Sequence, residues 1–156
     1  MRTLPAAPPR LVAIFGSGET TSGMTSVHQE LIRRAGGVRQ NAIILDTPFG
    51  FQENADEIAA RAVAYFRDNV GSEIHLASFR RRSDDLEYER FIDQISRAAY
   101  IFAGPGSPTY ALKLWRDPEI RRRLAEKVVF GGCLAFSSAA AAGLGAFAIP
   151  VYEIYK

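Results

Sequence analysis

Four short apolar runs and one alternating run recur along the chain, with amphipathic segments between them. Leu11–Phe15, Ala42–Asp46, Tyr100–Ala103 and Cys133–Ser137 have the near-continuous apolar character of strands buried on both faces of a parallel sheet. Glu73–Phe79 alternates instead, as expected of a strand nearer an edge. Between them, apolar residues return at helical spacing: Met24, Val27, Leu31 and Ile32 predict a helix from Met24 to Ala35 that closes on Gly36-Gly37. Ile58, Ala62, Val63 and Phe66 predict a second, capped by Asn54 or Asp56. Leu86, Phe91, Ile92 and Ile95 predict a third, starting at Asp84 or Asp85. Short helices are expected over Thr109–Trp115 and Pro118–Lys127. A last one runs from about Ser138 and ends by Gly143–Gly145, and a further strand is expected from Ile149 to Tyr155.

Strands alternating with helices predict an α/β fold with a mostly parallel sheet and helices on both faces. In such sheets ligands sit beyond the carboxyl ends of the strands. Four segments fall there: Gly16-Ser17-Gly18-Glu19-Thr20, Asp46-Thr47-Pro48-Phe49-Gly50, Gly104-Pro105-Gly106-Ser107-Pro108 and Ser137-Ser138. They share one edge.

Composition narrows the class. The chain has 156 residues, enough for one domain with a real core, and its 47% hydrophobic and 23% charged residues are ordinary for a soluble globular protein. A net charge of +2 gives no reason to expect nucleic-acid or membrane-surface partners. Arg80-Arg81-Arg82 and Arg121-Arg122-Arg123 each lie close to acids and read as solvated surface. The single cysteine, Cys133, excludes an internal disulfide and favours a reducing, cytoplasmic setting. It lies at the start of its strand, so it reads as a buried structural thiol. The proline-rich residues 1–10 read as a disordered leader ahead of a single domain over 11–156. No apolar run reaches the ~18 residues that span a bilayer.

The stretch from Val128 to Gly145 carries the most direct chemical suggestion. A Gly131-Gly132 turn, an apolar strand, then Ser138 opening an alanine-rich helix is the layout of a nucleophile elbow. The generic elbow has small residues two positions either side of the nucleophile. Here Phe136 and Ala140 stand there, and Phe136 is expected to crowd the bend. A buried strand leading into a close-packed small-residue helix fits the same letters, and Ser137 competes with Ser138 for the bend. Gly106 is suited to aim an N–H at an oxyanion, or simply to form a two-proline turn. Glu19 is placed to bind a substrate cation or to cap a helix. Thr21 replaces the third glycine of a dinucleotide loop and no Walker lysine is present, so no cofactor is expected. A serine needs a base. His28 lies inside a helix and His75 at the far end of a strand, and no histidine follows Ser138.

Taken with Gly16–Thr20, Asp46–Glu57, Phe102–Tyr110 and Ser137–Ala141, the chain resembles the serine peptidase family of dipeptidase E and cyanophycinase, in particular its uncharacterised actinobacterial members. The resemblance covers nearly all of the chain after the leader. It implies a flavodoxin-like three-layer sandwich, similar to class I glutamine amidotransferase domains, and hydrolysis of a peptide or related amide bond. By position it implies Ser138 as nucleophile and Gly106 and Ala139 as the oxyanion region; Glu19 and Ser107 are further candidates for binding a small peptide or amide substrate. The family's catalytic histidine lies beyond the position of Lys156. The chain is therefore expected to be the N-terminal portion of a longer domain, inactive or incomplete alone, with uncovered surface that favours a homo-oligomer. The alternative expectation is a non-catalytic ligand-binding or interaction domain on the same fold.

Overall fold

The computed structural model describes residues 9–36, 41–82 and 84–149. Most of the expected leader and the strand expected beyond Ile149 lie outside this set. Five strands, β1 (Arg10–Phe15), β2 (Ala42–Leu45), β3 (His75–Ala77), β4 (Tyr100–Ala103) and β5 (Gly132–Ser137), form one sheet in the order β1-β5-β4-β2-β3. Every neighbouring pair is parallel. Six helices join or flank them: α1 (Thr25–Ala35), α2 (Ala55–Tyr65), α3 (Asp85–Arg97), α4 (Pro108–Trp115), α5 (Pro118–Phe130) and α6 (Ser138–Ala142).

The pleat divides the core. Ile43, Leu45, Ile101, Ala103, Leu134 and Phe136 point to one face, where Phe91, Ile95, Ala111, Trp115 and Ile120 of α3, α4 and α5 cover them. Ala42, Ile44, Tyr100, Phe102, Cys133 and Ala135 point to the other, under Ile32 and Ala35 of α1 and Tyr65 of α2. The result is a flavodoxin-like three-layer α/β sandwich. Parallel strands buried on both faces have no solvated side, which is why β2, β4 and β5 are apolar without alternation.

Helix starts follow local chemistry. Asp84 accepts from the Glu87 N–H at 2.7 Å, Ser107 from the Tyr110 N–H at 3.1 Å, and Asp117 from the Glu119 and Ile120 N–H groups. Each satisfies donors that the first turn leaves without an internal partner. Asn54 precedes α2 without a side-chain cap. α2 continues through a π-turn at Phe66–Val70 to Gly71, whose φ of 73° ends the helix in the left-handed region.

The structure corrects three expectations. β1 is not buried on both faces. Among the described residues it is an edge strand paired only with β5, and Val12 and Ile14, on the same face of the sheet as Leu134 and Phe136, are 47% and 66% exposed. Nor is the first arginine run simply solvated. Arg80 turns inward to a buried carboxylate, whereas Arg122 and Arg123 stay on the surface of α5 with Glu119 and Glu126. β3 is also shorter than its alternating pattern, three residues at the sheet's other edge.

Candidate functional site

The loops that follow β1, β2, β4 and β5 converge at the carboxyl edge of the sheet. Ser138 sits at the bend from β5 into α6 with φ of 48°, and it is the one non-glycine residue with positive φ among the described residues. Such a conformation costs a serine about 1 kcal/mol or more and persists only where the surroundings impose it. Here β5 is held on both sides, and the Ala140 N–H donates to the Gly104 carbonyl oxygen at 3.4 Å. Ser138 is exposed, while Ser137 is fully buried with its Oγ lacking any hydrogen-bond partner in the described structure. The bend therefore falls at Ser138 and not at Ser137.

Phe136 does not crowd this bend. Side chains alternate along β5, so the Phe136 ring lies on the α3–α4–α5 face, 5.6 Å from the Trp115 ring. The linear pattern placed it two residues from Ser138; the pleat turns it away.

Gly106 faces Ser138 across a cavity of about 530 Å³ that is also lined by Phe51, Gln52 and Pro105. Its φ is 143°, and a Cβ there would lie 1.9 Å from the Pro48 carbonyl oxygen. Only glycine fits, on both counts. The adjacent Ser107 N–H donates to that same Pro48 oxygen at 2.8 Å. The Thr47–Phe49 turn after β2 is thus the seat of the Gly104–Pro108 loop. Ser107 itself is buried with its hydroxyl oxygen engaged in capping α4. Ala139 occupies the first turn of α6, also beside the bend.

That seat is anchored from below by a cluster the sequence reading missed. Asp46, fully buried, accepts from Ser78 Oγ at 2.6 Å, from the Phe79 N–H at 2.9 Å and from Arg80 Nε at 2.7 Å. Arg80 also reaches Asp56 on α2 at 2.7 Å. Thr47 Oγ1 donates to the Phe79 carbonyl oxygen at 2.9 Å, and the Tyr110 hydroxyl donates to the Arg80 carbonyl oxygen. Ion pairing holds the Arg80 guanidinium above its ordinary pKa despite partial burial, which alone would lower it. The signal was present: an acid closing a buried apolar strand demands a cation, and Arg80 follows the next strand.

Neither described histidine is near Ser138 in a useful state. His28 is fully buried, with Nε2 2.7 Å from the Glu19 carbonyl oxygen and Nδ1 2.7 Å from the Tyr100 hydroxyl. A carbonyl only accepts, so Nε2 carries the proton and Tyr100 donates to Nδ1. Burial lowers the His28 pKa and raises that of Tyr100 well above its usual value. Rings of Phe15, Tyr65, Phe66 and Phe102 surround the imidazole edge-on. His75 opens β3, at the end of the strand opposite this edge. Cys133 is buried at the start of β5, and desolvation pushes its thiol up to about 12, which leaves it unreactive.

Glu19 lies on the other side of Pro105. Its side chain enters a second cavity, of about 490 Å³, walled by Ile44, Phe49, Tyr65 and Phe102. Among the described residues no group of three or more metal-ligating side chains forms, and no helix is long and apolar enough to cross a membrane.

No protein-family model matches the chain, and no curated protein sequence matches it. A solved structure, that of a peptidase from an acI-B1 Actinobacterium, is similar to it with a TM-score of 0.69 at 24% sequence identity. The match covers 84% of this chain and 55% of that one, so the chain spans little more than half the length of this structural relative. At that identity the likeness establishes the fold.

Proposed function

We propose that the chain carries the nucleophile of a serine-type hydrolase acting on a peptide or related amide bond, of the dipeptidase E and cyanophycinase type. The observation that carries the reading is the conformation of Ser138: a strained, exposed serine at the end of a buried strand, facing Gly106. That strain makes sense where a hydroxyl must stand clear of the sheet to reach a carbonyl carbon. In the proposed step, Ser138 Oγ attacks the amide carbon as its proton passes to a base. The N–H groups of Gly106 and Ala139 hold the developing oxyanion, and the amine then leaves with a proton. The Ala140 N–H is engaged with Gly104, which leaves the Ala139 N–H of the helix start for this task. The structural relative is a peptidase, which agrees with an amide substrate.

The base belongs to neither described histidine, because His28 is locked at both nitrogens and His75 is at the wrong end of its strand. The proposal assigns it to a group outside the described residues.

A serine-directed fluorophosphonate probe tests the reading on the full-length protein. Labelling at Ser138, abolished in Ser138→Ala, is the expected result. An unlabelled, folded protein would instead favour a ligand-binding domain on the same fold, a reading that the absence of a nearby histidine among the described residues already motivates.

A further inference from the structure

We propose that the cavity between the β1–α1 loop and α2 is a binding site for a primary ammonium group, with the Glu19 carboxylate as its counter-ion. Glu19 is only 8% exposed, yet its carboxylate makes no hydrogen bond and no ion pair among the described residues. Arg61 stands exposed on the rim of the same cavity without pairing to it, and Asp68 on that rim is taken by Arg67 at 2.6 Å. A carboxylate of a mostly buried residue that opens onto a cavity without a protein donor favours a cationic occupant there.

The backbone around it is built to hold it there. The His28 Nε2–H fixes the Glu19 carbonyl, and both the Thr21 N–H and the Thr21 hydroxyl bind the Gly18 oxygen, at 3.0 and 2.7 Å. Gly18, with φ of 73°, makes the sharp turn that this bracing needs. Tyr65, which lines the cavity, donates its hydroxyl to the Thr21 oxygen at 2.9 Å and so ties α2 to the same loop. The Glu19 carboxyl lies 3.8 Å from the position a Cβ would take at Gly104, which places it against the loop that leads to Gly106.

The chemistry of the occupant follows from the donor set. One carboxylate with apolar walls balances one positive charge, and a primary ammonium offers three donors at a point. A divalent metal ion would ask for several more oxygen ligands than the one carboxylate supplies. Ile44, Phe49, Ile58 and Phe102 provide contact for the carbon skeleton behind the charge. The cavity and the cleft holding Ser138 meet at Pro105, and the Cα atoms of Gly104 and Gly106 are at most about 7.6 Å apart. An occupant with its ammonium on Glu19 would have to pass Pro105 to enter the Ser138 cleft. That this occupant is the substrate of Ser138, with the scissile bond near its free amino end, rests on the hydrolase reading; the ammonium site itself does not.

Titration calorimetry on the full-length Ser138→Ala protein, which prevents turnover, separates the possibilities. The probes are trialanine, N-acetyl-trialanine and Nα-acetyl-lysine methylamide. Trialanine should bind at least tenfold more tightly than its acetylated form, and Glu19→Gln should remove that difference. Glu19-dependent binding of the lysine derivative but not of trialanine would support the site with a side-chain amine as its source. Equal binding of free and acetylated trialanine, binding of none of the probes, or full binding by folded Glu19→Gln would overturn it. Should Glu19→Gln fail to fold, the comparison of free and acetylated peptides on the unaltered site decides. Fluorophosphonate labelling is read separately, so either proposal can fail while the other stands.

Discussion

Replacing Asp46 with alanine should destabilise the fold more than any exposed substitution and slow any reaction at Ser138, although Asp46 touches neither Ser138 nor the cleft beside it. Removing one member of a buried ion pair costs about 3–5 kcal/mol. Arg80 keeps Asp56 and is 26% exposed, so the lower end, about 3 kcal/mol, applies. The Phe79 N–H loses its buried acceptor as well, which adds about 1 kcal/mol. The expected total of about 4 kcal/mol corresponds to a fall in Tm of roughly 8–16 °C for a domain of this size. Asp46→Asn keeps the shape and one acceptor oxygen and should lose about half as much. Urea unfolding followed by circular dichroism measures the change. A double-mutant cycle with Arg80→Ala should then show a coupling of about 1–3 kcal/mol. Asp46→Ala within about 1 kcal/mol of the parent, or additive effects in the cycle, would refute the clamp. Slower fluorophosphonate labelling in folded Asp46→Asn would show that the clamp also holds Gly106 in place.

Ser138→Gly should relieve the positive φ, stabilising the protein by about 0.5–1 kcal/mol in thermal melts while abolishing labelling; lower stability would mean the bend is unstrained. Because the folded-state pKa of His28 is depressed, its contribution to stability is complete above the unfolded value of 6.5. It is lost progressively as pH falls from there towards the folded pKa, since the unfolded chain then takes the proton first. Nitrogen NMR of the ring should show a neutral Nε2–H tautomer at pH 6, and an imidazolium signal in the folded protein would contradict the buried assignment. Gly106→Ala should cost several kcal/mol, about 3 or more, because both the backbone angle and the Pro48 oxygen oppose a side chain; a melt like that of the parent would show the loop moves freely. Val12 and Ile14 of β1, exposed among the described residues, should drive self-association, so Ile14→Lys should shift light-scattering mass towards monomer, and a parent protein that is monomeric at every concentration would exclude a homo-oligomer through β1.

The fold was legible where burial is two-sided. The continuous apolar letters of β2, β4 and β5 follow directly from helices lying on both faces. β1 has similar letters but a different fate, because its place at the edge is decided by strand order, which no local pattern encodes. The strand-to-helix bend was legible in outline from the glycines, the serine pair and the alanines that follow. Its register was not, since choosing Ser138 over Ser137 depends on a backbone angle, and the crowding expected from Phe136 vanished once the pleat was known. The Asp46–Arg80 pair escaped because its members lie 34 positions apart and meet only when β2 and β3 pair. Arg80 beside Arg81 and Arg82 looked like solvent-facing charge. Glu19 reads from sequence as cation binder or cap, and among the described residues its side chain caps neither the Ser22–Met24 turn nor α1.

The seat of Gly106 on Pro48 ties together two loops that belong to different crossovers. With a carbonyl oxygen filling the space a side chain would take, neither loop can lengthen, shorten or tilt without displacing the other. Variation in specificity must therefore arise in coordinated pairs of changes across Thr47–Phe49 and Gly104–Pro108, and a transplant of either segment alone into a similar scaffold would arrive without its footing. The unit that can be exchanged at this edge is the pair of loops, carried together with the Asp46–Arg80 anchor beneath them.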